Sequence, residues 1–272
     1  MTDDHAKNCL KQLGTALSSA SASLDPTVVE TAAKKLLALV KEESSVATFA
    51  LLLLRLVVLE YGNSKAVREC IDWIVGQSSS SSSSYSSSSP DGGTTGWKTP
   101  AARSLAWCVV SNYYSTPVAT TTQEGTSTTN TLSIDAAISD LHHDTKQVRQ
   151  AASTVLYNYV LGSTGNDADA DDTRVSVLCS CLENLSEETD DTTRLRRLVT
   201  GGRIVFPDSS TINEIAKTLV QDLGFVEVMT ELATVAIPAA TTTTNNNKDN
   251  NIDSDGKKCQ QLAAELIHKL QD

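Results

Sequence analysis

The most chemically informative side chains of this sequence belong to four arginines within ten positions: Arg194, Arg196, Arg197 and Arg203. On a helix, Arg196, Thr200 and Arg203 share one face because they are four and three residues apart. A planar guanidinium pairs with a carboxylate through two parallel hydrogen bonds, so this face could bind an acidic ligand. The acids between residues 187 and 191 offer an alternative, in which the arginines form ordinary surface ion pairs. The sequence alone leaves both interpretations open.

Two glycines, Gly201 and Gly202, interrupt the same arginine-rich pattern. A glycine inside a helix costs about 1 kcal/mol relative to alanine. We therefore expect that some feature of the fold requires glycine at these two positions. Close packing of another helix, a bend in the helix, or room for a ligand would each explain it.

A second polar face is predicted on residues 146–161, where Thr154 and Asn158 are one helical turn apart. A carboxamide both donates and accepts hydrogen bonds, which suits it to holding the backbone of an extended peptide. The alternative is that Asn158 is a helix cap or a buried amide satisfied by its own fold.

Three further groups could support catalysis or metal binding, but their contexts argue against both. His142 and His143 adjoin a predicted helix end, where solvated histidines are favoured. Cys108 lies in an apolar run, which raises a thiol pKa. Cys179 and Cys181 point apart on a helix and have no second pair at ligand spacing. No phosphate loop, dinucleotide fingerprint or nucleophile elbow is found. We expect no enzyme activity, metal, cofactor or small-molecule substrate.

Composition points to an acidic helical protein with an aliphatic core. The chain has 272 residues, a net charge of −11, 40% hydrophobic and 4% aromatic residues. This charge argues against nucleic acid or an anionic membrane as the main partner. The longest apolar stretch, 46–59, is interrupted by Arg55 and is predicted to be a buried helix, not a membrane span. With no secretory signal pattern, we expect a cytoplasmic or nuclear location.

Helical periodicity recurs through most of the chain, and strand alternation is hard to find. About twelve helices are predicted, many joined in pairs by short loops. Asp25-Pro26 predicts a helix start and Gly224 a helix end. Three segments of low complexity, at about 78–98, 116–131 and 240–256, are predicted to be loops. Residues 1–24 are predicted to form an N-terminal extension or a first helix.

The order of motifs from 146 to 219 resembles the C-terminal half of the PUL domain of phospholipase-activating-protein-like ubiquitin-homeostasis proteins. The resemblance is carried by Ala151, Ser153, Thr154, Asn158 and Tyr159, by the segment 196–204, and by Ala216-Lys217-Thr218-Leu219. Weaker likeness extends upstream to Ala102-Arg103-Ser104-Leu105 and to residues 49–59. The chain departs from the family pattern at Trp107, where the family has Asn, and at Thr200 and Gly201.

The resemblance implies an all-α, armadillo-like superhelical solenoid of about six helical hairpins over residues 25–272. It further implies a non-enzymatic adaptor whose basic groove binds the acidic C-terminal tail of the AAA segregase (valosin-containing protein) in ubiquitin-dependent protein processing. Arg103 and Arg196 correspond to groove arginines of the family, and Asn158 to a groove or structural position. Arg203 joins them because it shares the face of Arg196. The alternative is a general HEAT- or armadillo-type peptide-binding scaffold with no segregase link.

Overall fold

The computed structural model describes residues 8, 11–12, 14–15, 25–42, 46–62, 64–80, 97, 99–115, 134–162, 168–207, 213–234 and 252–271. Over these ranges the protein is all-helical, with eleven helices and no strand. The predicted all-α class is therefore confirmed. Most of the N-terminal segment 1–24 and most of the three predicted low-complexity loops lie outside the described residues. The few described residues before position 25 are helical.

The chain divides into two compact units, Met1–Gly162 and Ser163–Asp272. The helices of the first unit are α1 (Pro26–Lys41), α2 (Ala47–Tyr61), α3 (Lys65–Ser80), α4 (Pro100–Ser115), α5 (Asp135–Asp140) and α6 (Lys146–Gly162). The largest helix–helix interface of this unit joins α4 to α6, and α2 packs between α1 and α4. Alanines at 106, 151 and 152 are buried in these helices and permit close approach of their backbones.

The start of α1 is built as the sequence predicts. Asp25 is the N-cap, and its carboxylate accepts a hydrogen bond from the backbone N–H of Thr27 at 2.8 Å. Pro26 follows at the first helical position, where its missing N–H costs nothing. An apolar stripe on α1, which includes Val29, Leu36 and Val40, is buried in the core.

The apolar stretch 46–59 is helical, but the prediction that it is buried is only half right. One side of α2 is buried against neighbouring helices, with Leu51 and Leu54 almost fully enclosed. The other side leaves large apolar side chains open, among them Phe49 with 66% of its surface exposed. The sequence does not separate these sides because both are made of leucine, valine and phenylalanine. No helix within the described ranges combines the length and apolarity needed to cross a bilayer.

The second unit contains α7 (Ala168–Leu182), α8 (Asp191–Val205), α9 (Glu214–Asp222), α10 (Phe225–Thr234) and α11 (Ile252–Gln271). Helix α8 packs on both α7 and α11, and α10 packs on α11. Asn213 caps α9 by accepting from the Ala216 N–H at 3.1 Å. After α9, Gly224 has a φ of 72°, which confirms the predicted helix end.

Two helices extend into segments predicted to be loops. Helix α3 continues to Ser80, and α11 begins at Ile252. The hydroxyl of Ser78 donates to the carbonyl of Ile74 and accepts from the indole N–H of Trp97, at 3.1 and 2.9 Å. These two hydrogen bonds stabilise Ser78 in the helix. Serine-rich composition alone does not predict them.

Candidate functional site

Helix α8 carries the four arginines, and its first turn is fixed by side-chain hydrogen bonds. Asp190 is the N-cap, and its carboxylate accepts from both the backbone N–H and the hydroxyl of Thr193, at 2.9 and 2.6 Å. Arg194 donates to Asp191 at 2.7 Å and to the carbonyl of Glu188. These contacts orient the helix and engage the first arginine within the fold.

Arg197 is a buried residue that closes the end of α7. Only 2% of its surface is exposed. Its guanidinium donates to the carbonyls of Ser180 and Cys181, at 3.1 and 3.0 Å, and to that of Glu183. The last carbonyls of a helix lack internal partners, and a cation is favoured there by the helix dipole. Glu188 lies 3.8 Å from the same guanidinium. Arg194 therefore forms an ion pair with a nearby acid, as the alternative expects, whereas the ion pair of Arg197 is buried and not a surface one.

Arg196 and Arg203 differ from the other two arginines in exposure. Arg203 is exposed, and Arg196 is half-buried. Near Arg196, the pKa of Asp255 in the first turn of α11 is lowered, first by a hydrogen bond from Lys258 and then by a hydrogen bond from Thr192 and the charges of Lys258 and Arg196. Thr200, predicted to share the open face, is instead buried, and its hydroxyl donates to the carbonyl of Arg196 at 2.7 Å.

Helices α8 and α11 run parallel, and each carries a cation in its last turn, Arg203 and Lys269 respectively. Thr192 meets Asp255 at the start of both helices, and Gly202 meets Leu266 near their ends. The ammonium of Lys269 lies 5.5 Å from the ring centroid of Phe206, directly after α8. Arg203 is three residues before that ring. We call Arg196, Arg203 and Lys269 the basic face.

The two glycines of α8 are explained by close helix packing. A Cβ atom at Gly201 would lie 3.4 Å from side-chain carbons of Leu178 and Leu182 in α7. At Gly202 it would lie 3.1 Å from a methyl carbon of Leu266 in α11. Each glycine thus brings a different neighbouring helix close to α8. Gly201, where the chain departs from the PUL family pattern, therefore allows close packing of α7 and does not make room for a ligand.

Arg103 is held inside the first unit. It is 9% exposed, and its Nε donates to Oδ2 of Asp140, itself 2% exposed, at 2.5 Å. The indole N–H of Trp107 donates to the same oxygen at 2.6 Å. Trp107, where the related family has Asn, is therefore the second donor to a buried carboxylate. Sequence reasoning missed Asp140 because no spacing rule connects it to residues more than thirty positions earlier.

Asn158 joins α6 to α4. Its Nδ2 donates to the carbonyl and the hydroxyl of Ser111, at 3.0 and 2.9 Å. Thr154 makes a local bond to the carbonyl of Gln150 at 2.7 Å. The donor side of the Asn158 amide is thus used within the fold, as the structural alternative expects.

The predicted site residues are divided between the two compact units. Arg103 and Asn158 lie in the first unit. Asn158 contacts α4 at Ser111, which is about two helical turns, or roughly 12 Å, along α4 from Arg103. Arg196 and Arg203 lie in the second unit, on one helix. Of these four residues, only Arg203 is exposed rather than buried or half-buried.

Burial disfavours the nucleophilic thiolate form of three cysteines. Burial raises the pKa of Cys70 and of Cys181 to about 12, and that of Cys259 to about 11. A thiol, not a thiolate, is therefore present at neutral pH. His143 accepts a hydrogen bond from the Thr145 N–H at 2.9 Å, next to the start of α6. In the part of the chain that the structure describes, no three His, Cys, Asp or Glu side chains gather for a metal.

A small apolar crevice in the second unit lies under the basic face. It is lined by nine residues, among them Gly202, Phe206 and Leu266. Its interior holds roughly one water molecule, and an apolar lining of that size stays dry. The crevice is therefore a small gap between packed side chains.

Comparison of the chain with models of protein families, with curated proteins and with solved structures finds no match in any of the three. What defines the molecule is therefore its own geometry. Over the described residues it is all-helical, and the helix pair α8 and α11 carries Arg196, Arg203 and Lys269.

Proposed function

We propose that the protein is a non-enzymatic adaptor, an armadillo-like solenoid that binds an acidic peptide through its basic face. The observation that carries the proposal is that the arginines of α8 differ in their contacts and exposure. Arg194 and Arg197 are engaged in intramolecular contacts, while Arg203 is exposed on the face shared with Arg196. An arginine exposed beside others that are engaged within the fold is well placed to contact a ligand.

The spacing of the two arginines suits an extended peptide. Seven residues along a helix correspond to roughly 10 Å. In an extended chain alternate side chains point to the same side, and positions i and i+2 lie about 7 Å apart. Because arginine and acidic side chains are long, carboxylates at positions i and i+2 of an acidic peptide could meet Arg196 and Arg203 together, each through charge-assisted hydrogen bonds.

The segregase C-terminal tail is the ligand that the PUL resemblance suggests. The most specific motifs of that resemblance fall on α6, α8 and α9, and two of these three helices belong to the unit that carries the basic face. The all-helical fold and the packed helix pairs are compatible with an armadillo-like arrangement. On this proposal the protein serves ubiquitin-dependent processing in the cytoplasm or nucleus.

Titration calorimetry of the chain against a peptide of the segregase C-terminal tail tests the proposal. Arg203→Glu reverses an exposed charge of the face and should weaken binding about tenfold or more, because each charge-assisted hydrogen bond contributes about 1.5–3 kcal/mol. Arg196→Glu should act in the same direction. Lys65→Glu, at an exposed residue of α3 in the other unit, makes the same charge change and should leave the affinity unaltered.

Circular dichroism of each variant shows whether helicity is retained, so that a folding defect is not mistaken for lost binding. Equal affinity in the wild type and in Arg203→Glu would reject the basic face as the binding surface. A scrambled acidic peptide and a basic peptide of equal length complete the panel. Equal binding of tail and scrambled peptide would favour the general HEAT- or armadillo-type scaffold over a segregase adaptor.

A further inference from the structure

A stripe of large apolar side chains lies on the solvent side of α2. Its members are Phe49, Leu52, Leu53, Leu56 and Leu59, with exposed fractions between 38% and 66%. We call this set the leucine stripe. Val46, directly before the helix, extends it with 42% of its surface exposed. A contiguous apolar patch of this kind marks an interaction surface more often than a single exposed leucine does.

The spacing of the leucine stripe is that of a two-stranded coiled coil. Phe49, Leu52, Leu56 and Leu59 follow one another in steps of three, four and three residues, which are the a and d positions of a heptad. The b, c and f positions are Ala50, Leu51, Leu54, Val57 and Val58, each 2% exposed or less. The fold therefore covers one side of α2 and leaves these a and d positions exposed on the other.

We propose that the leucine stripe is a self-association surface, on which α2 packs in parallel against α2 of a second copy of this chain. Six side chains with these exposed fractions form a patch on the order of 500 Å², at the upper end of what monomers carry. Two such patches together bury about 1,000 Å², the lower limit for a specific interface. A seam that repeats at a and d is self-complementary, which a two-fold interface requires.

Charges beside the stripe select the parallel orientation. Arg55 occupies the g position of this heptad, and Glu60 occupies the e position five residues later. Both are exposed. In a parallel pair, a g residue faces the e residue five positions further along the partner helix, so Arg55 meets the partner's Glu60 twice per dimer. An antiparallel pair would bring g positions together and place Arg55 against Arg55.

Sedimentation equilibrium of the full chain over a wide concentration range is the first test. The wild type should show a monomer–dimer equilibrium, and Leu56→Glu should raise the dissociation constant at least tenfold, because it places charge at the centre of the seam. Leu161→Glu is the matched control: Leu161 is 42% exposed on α6 and outside the stripe. Since both residues are exposed, circular dichroism should show both variants folded.

The orientation has its own test in a charge exchange. Arg55→Glu alone and Glu60→Arg alone each bring like charges together in a parallel dimer and should weaken it. The double exchange, Arg55→Glu with Glu60→Arg, restores opposite charges and should recover the wild-type dissociation constant. Additive weakening in the double variant would overturn the parallel pairing.

A cross-linking experiment gives an independent result. Leu59→Cys should form an oxidised dimer with itself, because each seam position faces its counterpart in a parallel pair. In an antiparallel pair, Leu59→Cys would cross-link only with Phe49→Cys in a mixture of the two variants. The wild type, treated with the same oxidant, controls for the native cysteines. A chain that stays monomeric at all concentrations, or a dimer indifferent to Leu56→Glu, would overturn the proposal.

Discussion

At the residue scale, the most consequential contact is the buried carboxylate of Asp140 between Arg103 and Trp107. A carboxylate removed from water is costly unless it is paired and hydrogen-bonded. Here both donors reach the same oxygen, at 2.5 and 2.6 Å. The trio therefore links the start of α4 to α5 and restricts Arg103 to a role within the fold.

Replacing Arg103 should therefore lower the stability of the fold, and any effect on peptide binding should be secondary to that loss. Arg103→Ala leaves Asp140 with one donor, and breaking a buried ion pair in this way costs about 3–5 kcal/mol of unfolding free energy. Urea denaturation followed by circular dichroism measures the loss. The paired change Arg103→Met with Asp140→Leu removes both charges and should cost less than Arg103→Ala alone.

Arg68→Ala, at an exposed residue of α3, is the control for loss of an arginine and should cost little. The opposite outcome is informative. An Arg103→Ala variant with wild-type stability and abolished binding of the acidic peptide would return Arg103 to the ligand-binding surface.

At the element scale, alanine should change stability in opposite directions at two glycines, one inside a helix and one at a helix end. Gly76 is exposed within α3, and a Cβ atom there would meet nothing within 4 Å. Gly76→Ala should stabilise the protein by about 0.5–1 kcal/mol, since alanine is the better helix former. Gly224 ends α9 with a φ of 72°. Gly224→Ala should destabilise by about 1 kcal/mol, because an L side chain is strained there.

Thermal unfolding of the two variants beside the wild type measures both effects in one experiment. The transition of Gly76→Ala should move up and that of Gly224→Ala should move down. A shift of the same sign in both would contradict the assignment of one glycine to a helix interior and the other to a helix end.

The junction where α8 and α11 begin should make stability sensitive to acid. Asp255 has a pKa below its ordinary value of 3.8, first because Lys258 donates to it and also because Thr192 does. The contribution of Asp255 to the free energy of unfolding is complete above pH 3.8, where its carboxylate is ionised in both the folded and the unfolded state. As pH falls below 3.8, the unfolded chain takes up the proton first, and the contribution is lost through the lower folded pKa.

Asp255→Asn should therefore be less stable than the wild type at neutral pH, and the difference should shrink as pH falls below 4. Urea denaturation at a series of pH values measures it. Asp222→Asn, at an exposed residue of α9, makes the same chemical change away from the junction. A difference between Asp255→Asn and the wild type that is constant down to the lowest pH would show that the carboxylate contributes nothing through its charge.

The elements were far more predictable from the sequence than the site. Apolar periodicity and local caps such as Asp25 act within a few residues, so they determine helices without knowledge of the fold. Arg197 shows the limit. Its spacing alone does not distinguish it from Arg196, yet it is buried because the open carbonyls at the end of α7 lie against it. Asp140 was missed for the same reason, since its partners come from another helix.

At the scale of the whole molecule, a basic face on a chain of net charge −11 creates two opposing electrostatic effects. The face attracts an acidic peptide at contact distance, whereas the whole chain repels it from afar. At about 0.01 M salt the screening length is roughly 30 Å, so the repulsion acts across the molecule. At about 0.15 M it falls to roughly 8 Å, and only charges near the peptide still count.

Association of an acidic peptide should therefore become faster, not slower, as salt rises from about 0.01 to 0.15 M. Dissociation should also become faster, because the contacts with Arg203 weaken. Stopped-flow kinetics with a labelled tail peptide separates the two rates. Arg203→Glu should raise the dissociation rate with a smaller effect on association, as expected for a contact charge within a field set by the whole chain. An association rate that falls steadily with salt would mean that the basic face, and not the net charge, dominates the approach of the peptide.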